Sequence, residues 1–397
     1  MKVGIVTFYY KNYNFGGALQ ARALTLALQT IKNVQAEQIQ VDFNKQWENM
    51  SALQHIRAVL KHHGLLKTFQ LTVGAINKRK TEASTSSDRL QAGKRIRSFD
   101  KFSQETPHSE KVYATDDIKE CEHCYDVYIC GGDQIWNDWG TGFYSCALDI
   151  YTLNDIPDNF IKFSYAPSIP LKKPNKAFLK KLKSGISRLD AVSVREKSSV
   201  KLIEDMTTHK VEVVVDPVLL LTREQWDMQC VLPKIKEKYI LCYFLGTGGD
   251  KRQAAQEYAN RLGVSLLTFP YIGGEVKDDD AFGNLRDFTS GPAEFIGLIQ
   301  RAEVVITDSF HASVMSMIYH KPFFTMERNT CVGGGSMESR LTDFLKEYGL
   351  IKQKVTVEQL RDFQAVPIID YAEADKTWNQ RRLESFSYLE RNLQKIK

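Results

Sequence analysis

Short apolar runs closed by turn residues alternate with helical periodicities along almost the whole chain. Residues 3–8 read as a strand, "YNFGGALQ" as a glycine-bearing loop and residues 18–31 as an amphipathic helix. Strand, glycine turn, helix is how a Rossmann-like unit begins. A second strand is predicted at 38–43. The sheet pattern returns in "YDVYICGGDQIWN", whose strand 127–130 ends on Gly131-Gly132, and in "FIKFSYAPS", ending on Ser164 to Ser168. "LDAVSVRE" ends at Arg195, "VEVVVDPVLLL" breaks at Asp216-Pro217, and "KYILCYFLGTGGD" ends at Gly246. "VSLLTFP" and "AEVVITDSFHA" each follow a helical pattern, and "KPFFTMER" runs into the glycine-rich "CVGGGSMESR".

Strands alternating with helices imply parallel sheets covered on both faces. A chain of 397 residues is long for one core, so two domains are expected. The predicted fold is therefore α/β, with two Rossmann-like doubly wound domains facing each other across a cleft. The N-terminal domain is placed at 1–185 and the C-terminal domain at 186–370, with a final helix at 371–397 crossing back onto the first. Residues 50–105 interrupt the first domain with helical periodicity and many lysines and arginines. Between Arg57 and Lys101 the apolar Leu60, Leu65, Leu66, Phe69 and Leu71 are interleaved with those cations. Such a basic amphipathic insertion either covers the domain or makes peripheral contact with the inner membrane surface.

Composition narrows the function. The chain is 43% hydrophobic and 25% charged, an ordinary globular balance, and its net charge of +5 is mild. That suits a protein that handles anionic small molecules or touches an anionic surface, and it is far from a nucleic-acid-binding tail. Seven scattered cysteines read as reduced thiols, no run approaches the roughly 20 apolar residues of a membrane span, and "MKVGIVTFYY" reads as a first strand; a cytoplasmic protein is expected. "CEHC" at 121–124 lacks a second ligand pair at suitable spacing, so no metal is expected.

In open parallel sheets ligands bind outside the carboxyl ends of the strands. The first half puts Asn14, Gly16, Gly17, Gln20, Gly132, Asp133, Gln134, Trp136, Asn137 and Tyr165 there. Amides, small residues, an aromatic ring and one acid suit a neutral polyol such as a sugar. The second half puts Arg195, Asp216, Ser309, His311, Arg328 and Arg340 there, which suits phosphate or carboxylate. Ser309 stands where a helix N-cap belongs, and a helix N-terminus carries about +0.5 of an elementary charge. An imidazole in that first turn can bind an anion or deliver a proton. The bland alternative is a capping serine and a packed histidine. "YNFGGALQ" lacks the G-x-G-x-x-G spacing of a dinucleotide fingerprint.

These pieces together resemble the polysaccharide pyruvyl transferase family. The parts that carry the resemblance are "NFGGALQARAL", "YDVYICGGDQIWN", "SYAPS", "SVREKSSV", "VVVDPVLLL" and "ITDSFHASVMSMIYHKPFF" followed by "SRLTDFL", in family order from about residue 3 to 350. The resemblance implies a GT-B-like fold. It also implies transfer of a pyruvyl group from phosphoenolpyruvate to two hydroxyls of a sugar in a capsular or cell-surface polysaccharide precursor, leaving a ketal and phosphate. In that scheme His311 is the general acid, Arg195 holds the donor with Ser309, Arg328 and Arg340, and the acceptor is a sugar or lipid-linked oligosaccharide. Asp133 is the expected base, with Asp308 in reserve, and neither a cofactor nor a metal is needed. Many members read Arg-Leu-His where this chain has Ser309-Phe310-His311, so one phosphate-binding arginine is missing. The competing readings are a GT-B glycosyltransferase using a nucleotide sugar and a non-catalytic sugar- or anion-binding relative.

Overall fold

A computed structural model describes residues 1–43, 45, 86–137, 145–169, 176–270, 277–279, 282–328 and 338–395. Most of the basic insertion, including Leu60, Leu65, Leu66, Phe69 and Leu71, lies outside the described residues.

The first half runs β1 (Lys2–Val6), α1 (Phe15–Gln29), β2 (Gln35–Gln38), β3 (Val41–Asp42), α2 (Ser86–Glu105), β4 (Tyr113–Ala114), β5 (Val127–Gly131), α3 (Ser145–Tyr151), β6 (Ile161–Tyr165) and α4 (Lys176–Ile186). After it come β7 (Val192–Val194), α5 (Val200–Glu204), β8 (Val211–Val213) and α6 (Arg223–Asp227). The second half runs β9 (Tyr239–Tyr243), α7 (Gly249–Leu262), β10 (Ser265–Thr268), β11 (Leu285–Arg286), α8 (Pro292–Arg301), β12 (Val304–Thr307), α9 (Phe310–Ile318) and β13 (Phe323–Thr325). It closes with α10 (Glu338–Glu347), α11 (Val357–Asp362) and α12 (Ala372–Leu393).

Two parallel sheets result, in the order β2-β1-β5-β6 and β11-β10-β9-β12-β13. Every residue of β5, β6, β9 and β12 is buried. Strands covered on both faces must be apolar almost throughout, and so "VYICG" and "VVIT" run without polar alternation. The sequence reading gives β7 and β8 to the C-terminal half; the two strands pair with each other in a parallel two-stranded sheet. Phe163 bridges to Ala191, and Ser164 Oγ accepts from the Ser193 amide (2.9 Å), so β7 lies beside β6, the edge strand of the first sheet. Periodicity identifies a strand but not the sheet it joins.

The halves are joined by an aromatic knot. Phe15, the first residue of α1, stacks on Phe295 of α8 (centroids 4.5 Å apart) and meets Phe99, Tyr243 and Phe269 within 6 Å. Each such ring pair contributes about 0.5–1.5 kcal/mol beyond its buried area. Helix α12 adds a strap: Trp378 Nε1 donates to Leu219 O (2.7 Å), Ser385 Oγ accepts from the Val215 amide (3.0 Å) and Tyr388 Oη donates to Ser164 O (2.9 Å). Among the described residues no helix is long and apolar enough to cross a membrane.

Gly131 closes β5 where the neighbouring strand leaves no space: a Cβ there would lie 1.9 Å from the Tyr165 carbonyl oxygen. Gly131→Ala should therefore destabilise the chain by about 1–3 kcal/mol, as overpacking against backbone does. Urea unfolding checks this, and an unchanged midpoint would refute the contact.

Candidate functional site between the two sheets

The loop before α1 and the loop before α9 meet face to face. Asn14 caps α1, its Oδ1 accepting from the Gly17 amide (3.2 Å), while Ser309 caps α9, its Oγ accepting from the Ala312 amide (3.4 Å). His311 and Gly16 each occupy the second helical position of their helix. A Cβ on Gly16 would lie 2.0 Å from His311 Nδ1, so the absent side chain is what lets the imidazole lie against α1. Two helix N-termini thus converge beside one imidazole, and both favour an anion there.

A chain of buried charges stands behind His311. Its Nε2 is 3.4 Å from Asp216 Oδ2, within ion-pair range although outside hydrogen-bond geometry. Asp216, 1% exposed, accepts from Arg195 Nη1 through the same oxygen, while its Oδ1 caps the turn after Pro217 by accepting from the Val218 amide (2.9 Å). Arg195 Nε donates to Glu196 Oε1 (3.0 Å), which also accepts from Ser168 Oγ (2.7 Å). Burial alone would raise the Asp216 pKa, but the positive charges of His311 and Arg195 outweigh it and hold the carboxyl well below the usual carboxylate range. Burial pulls Arg195 the other way, and Glu196, Asp216 and Asp133 together keep its pKa above the ordinary value.

Arg340, at the start of α10, is the second buried guanidinium. Burial, then the charge of Arg195, push its pKa down to about 10. With its amide oxygen turned towards Arg340, Gln134 accepts from both Nη1 (3.0 Å) and Nη2 (2.6 Å). Both guanidiniums lie over the Phe310 ring, at 4.6 Å for Arg195 and 6.0 Å for Arg340. Asp133 sits in a left-handed turn (φ 40°), its carbonyl accepting from the Ser168 amide (2.8 Å), and its charge acts on both arginines.

The structure thus gathers Gly16, Asp133, Gln134, Arg195, Ser309, His311 and Arg340. Arg328 is displaced towards Asp308, donating from Nη2 to that residue's carbonyl (3.0 Å). Asp308 is tied to the second half: it accepts from the amides of Leu245 (2.7 Å) and Gly246 (2.9 Å) and from Lys251 Nζ (2.7 Å). Three residues expected to touch a sugar are core instead. Trp136 is fully buried with Nε1 donating to Tyr151 O (2.9 Å), and Tyr165 is fully buried with Oη donating to Val215 O (3.1 Å). Gln20 is fully buried, donating to Thr7 Oγ1 (2.8 Å) and Gly17 O (3.1 Å) under Gly132. Asn14 and Gly17 serve the α1 cap, and the Asn137 amide bonds back to Gln134 O (3.2 Å). Sequence reasoning gives Asp216 no partner and reads Arg195 and Glu196 as a solvated ion pair, whereas the pair is buried. The available signal is an acid at a strand end followed by proline, which fixes where that carboxylate points.

Two parallel sheets with a buried acid–imidazole–guanidinium chain at the facing strand ends define an α/β enzyme of GT-B-like architecture. The family model of the polysaccharide pyruvyl transferases matches residues 14–330, and the chain belongs to that family. No curated protein matches the sequence. Among solved structures, the UDP-GlcNAc 2-epimerase from Methanocaldococcus jannaschii is similar in fold, with 11% identity, coverage of 97% of this chain and 100% of that one, and a TM-score of 0.51. The UDP-GlcNAc 2-epimerase from Neisseria meningitidis, bound to UDP-GlcNAc, gives 12% identity, 98% and 100% coverage, and a TM-score of 0.45.

Asp216→Asn leaves Arg195 without a carboxylate on that side and should cost about 3–5 kcal/mol near neutral pH. Because the folded pKa of Asp216 is depressed, its contribution is present above about pH 4 and is lost as pH falls through the folded value. The stability gap between wild type and Asp216→Asn, read from urea midpoints, should narrow on acidification below about pH 4. A gap that stays constant would sink the assignment.

Proposed function

We propose that the chain transfers the pyruvyl carbons of phosphoenolpyruvate to two hydroxyls of a sugar, making a cyclic ketal in a cell-surface polysaccharide precursor and releasing phosphate. The observation that carries this reading is His311, backed by Asp216 and Arg195 and set where the N-termini of α1 and α9 meet. A donor with a carboxylate and a phosphate needs two anion seats. Arg195 and Arg340 supply guanidiniums for one, and the converging helix ends supply N–H groups for the other. Arg340 also answers the departure at Ser309, bringing a cation to Phe310 from α10.

In the proposed sequence His311, as imidazolium, gives its proton to the methylene carbon of phosphoenolpyruvate, and the vinyl π pair forms the new C–H bond. The central carbon becomes oxocarbenium-like, and the first sugar hydroxyl attacks it while Asp133 takes the hydroxyl proton. The C–O bond to phosphate then breaks, and phosphate leaves with the bridging oxygen and its electron pair, collecting the proton from Asp133. The second hydroxyl attacks the same carbon and returns its proton to His311. One diol and one phosphoenolpyruvate give one ketal and one phosphate. Asp216 stabilises the imidazolium throughout, and general acid help of this kind supplies about 10²–10⁴-fold.

His311→Ala should lower phosphate release from phosphoenolpyruvate, measured with a panel of saccharide and lipid-linked saccharide acceptors, by about 10²–10⁴-fold while calorimetry still detects donor binding. Undiminished turnover would remove His311 from the chemistry, and turnover of a nucleotide sugar in place of phosphoenolpyruvate would overturn the donor.

Gly16→Ala inserts a methyl group against the imidazole and should impair kcat by a similar order, about 10²-fold for a misplaced catalytic group. Kinetics paired with thermal melting separate this from unfolding; wild-type kcat would show that the contact is irrelevant to turnover.

A further inference from the structure

Beyond the Arg195–Asp216 pair the cleft deepens into a cavity of about 640 Å³. It runs between the segment leaving β8, Phe310 of α9, the inner face of α10 and the strap helix α12. That volume lies in the range of about 300–1,000 Å³ usual for small-molecule sites, and a three-carbon phosphoester fills only a fraction of it.

The two kinds of wall are distinct. Phe310, Phe344 and Tyr348 form a continuous aromatic side, with ring centroids 5.5 Å apart for the first pair and 4.9 Å for the second. The polar side is formed by Arg195, Glu196 and Asp343. Arg195, Glu196, Asp343 and Tyr348 bring a guanidinium, two carboxylates and a phenol to these walls. The occupant must offer both donors and acceptors, because a guanidinium, a phenol and two carboxylates are waiting. It must also present an apolar face to the rings. A pyranose does both: its C–H face lies on aromatic rings and its equatorial hydroxyls radiate in the ring plane.

We infer that this cavity is the subsite for the acceptor pyranose, with Asp343 and Tyr348 as its binding residues. The inference rests on the pyruvyl-transfer reading, since the cavity borders the same Arg195, Asp216 and Phe310. It replaces much of the first-half set expected to hold the sugar, of which Gln20, Trp136 and Tyr165 are core. A sugar seated here approaches the donor from the side of Glu196 and Asp216, across from α1.

The test uses saturation-transfer NMR on the full chain with the methyl pyranosides of glucose, galactose and mannose as probes, and calorimetry with phosphoenolpyruvate alongside. Two variants leave the donor residues untouched. Asp343→Asn alters one hydrogen-bonding group, and Ser198→Trp, at an exposed position on the cavity wall, fills the space without disturbing the core. The expected result is transfer to at least one pyranoside that falls at least fivefold in both variants, with the phosphoenolpyruvate isotherm unchanged. Transfer to none of the three, or transfer that survives both variants, would overturn the subsite. Variant-sensitive sugar binding without any phosphoenolpyruvate binding would uphold the subsite and strike the donor reading instead.

Discussion

The closeness of two helix ends is the constraint on which the site depends. Phe15 is buried among the rings of α2, α8, β9 and the end of β10, which fixes the start of α1 against the second sheet. One residue later the chain needs a position with no side chain, because the imidazole of His311 already fills that space. An anchor and a vacancy in successive positions set the width of the cleft at its chemical centre. A hinge elsewhere can flex only as far as that aromatic contact yields.

Electrostatics follows from the same closure. Behind His311 the carboxylates of Asp216, Glu196 and Asp133 face the guanidiniums of Arg195 and Arg340. These opposite charges largely offset one another within the protein, while the peptide dipoles of α1 and α9 point their positive ends at the same place. Breaking any one ion pair leaves an uncompensated buried charge, which is why these residues act as a unit.

The sequence made the parallel two-sheet plan legible because fully buried strands leave continuous apolar runs, and it located the strand ends where chemistry collects. His311 and Ser309 were readable from cap chemistry, and Arg195 from its place after β7. What could not be read was partnership. The contact between Asp216 and His311 joins residues 95 positions apart, and no spacing rule encodes it. Trp136 and Tyr165 misled for a related reason: an aromatic residue at a strand end can turn outward to a ligand or inward to a carbonyl, and only the packing around Tyr151 and Val215 decides. The placement of β7 beside β6 was hidden in the same way, since hydrogen bonding between strands leaves no mark on either alone.

The strap formed by α12 carries a consequence for biogenesis. Its rings and hydroxyls complete the bonding of Ser164, Val215 and Leu219, which belong to the first sheet and the segment leaving it, yet it is translated after both sheets. Domains usually fold in the order in which they leave the ribosome, at about 5–20 residues per second. Here the Val215 amide and the Leu219 carbonyl of the earlier segment receive their α12 partners only after both sheets have been made, whereas Ser164 O already accepts from Ser193 Oγ (2.8 Å).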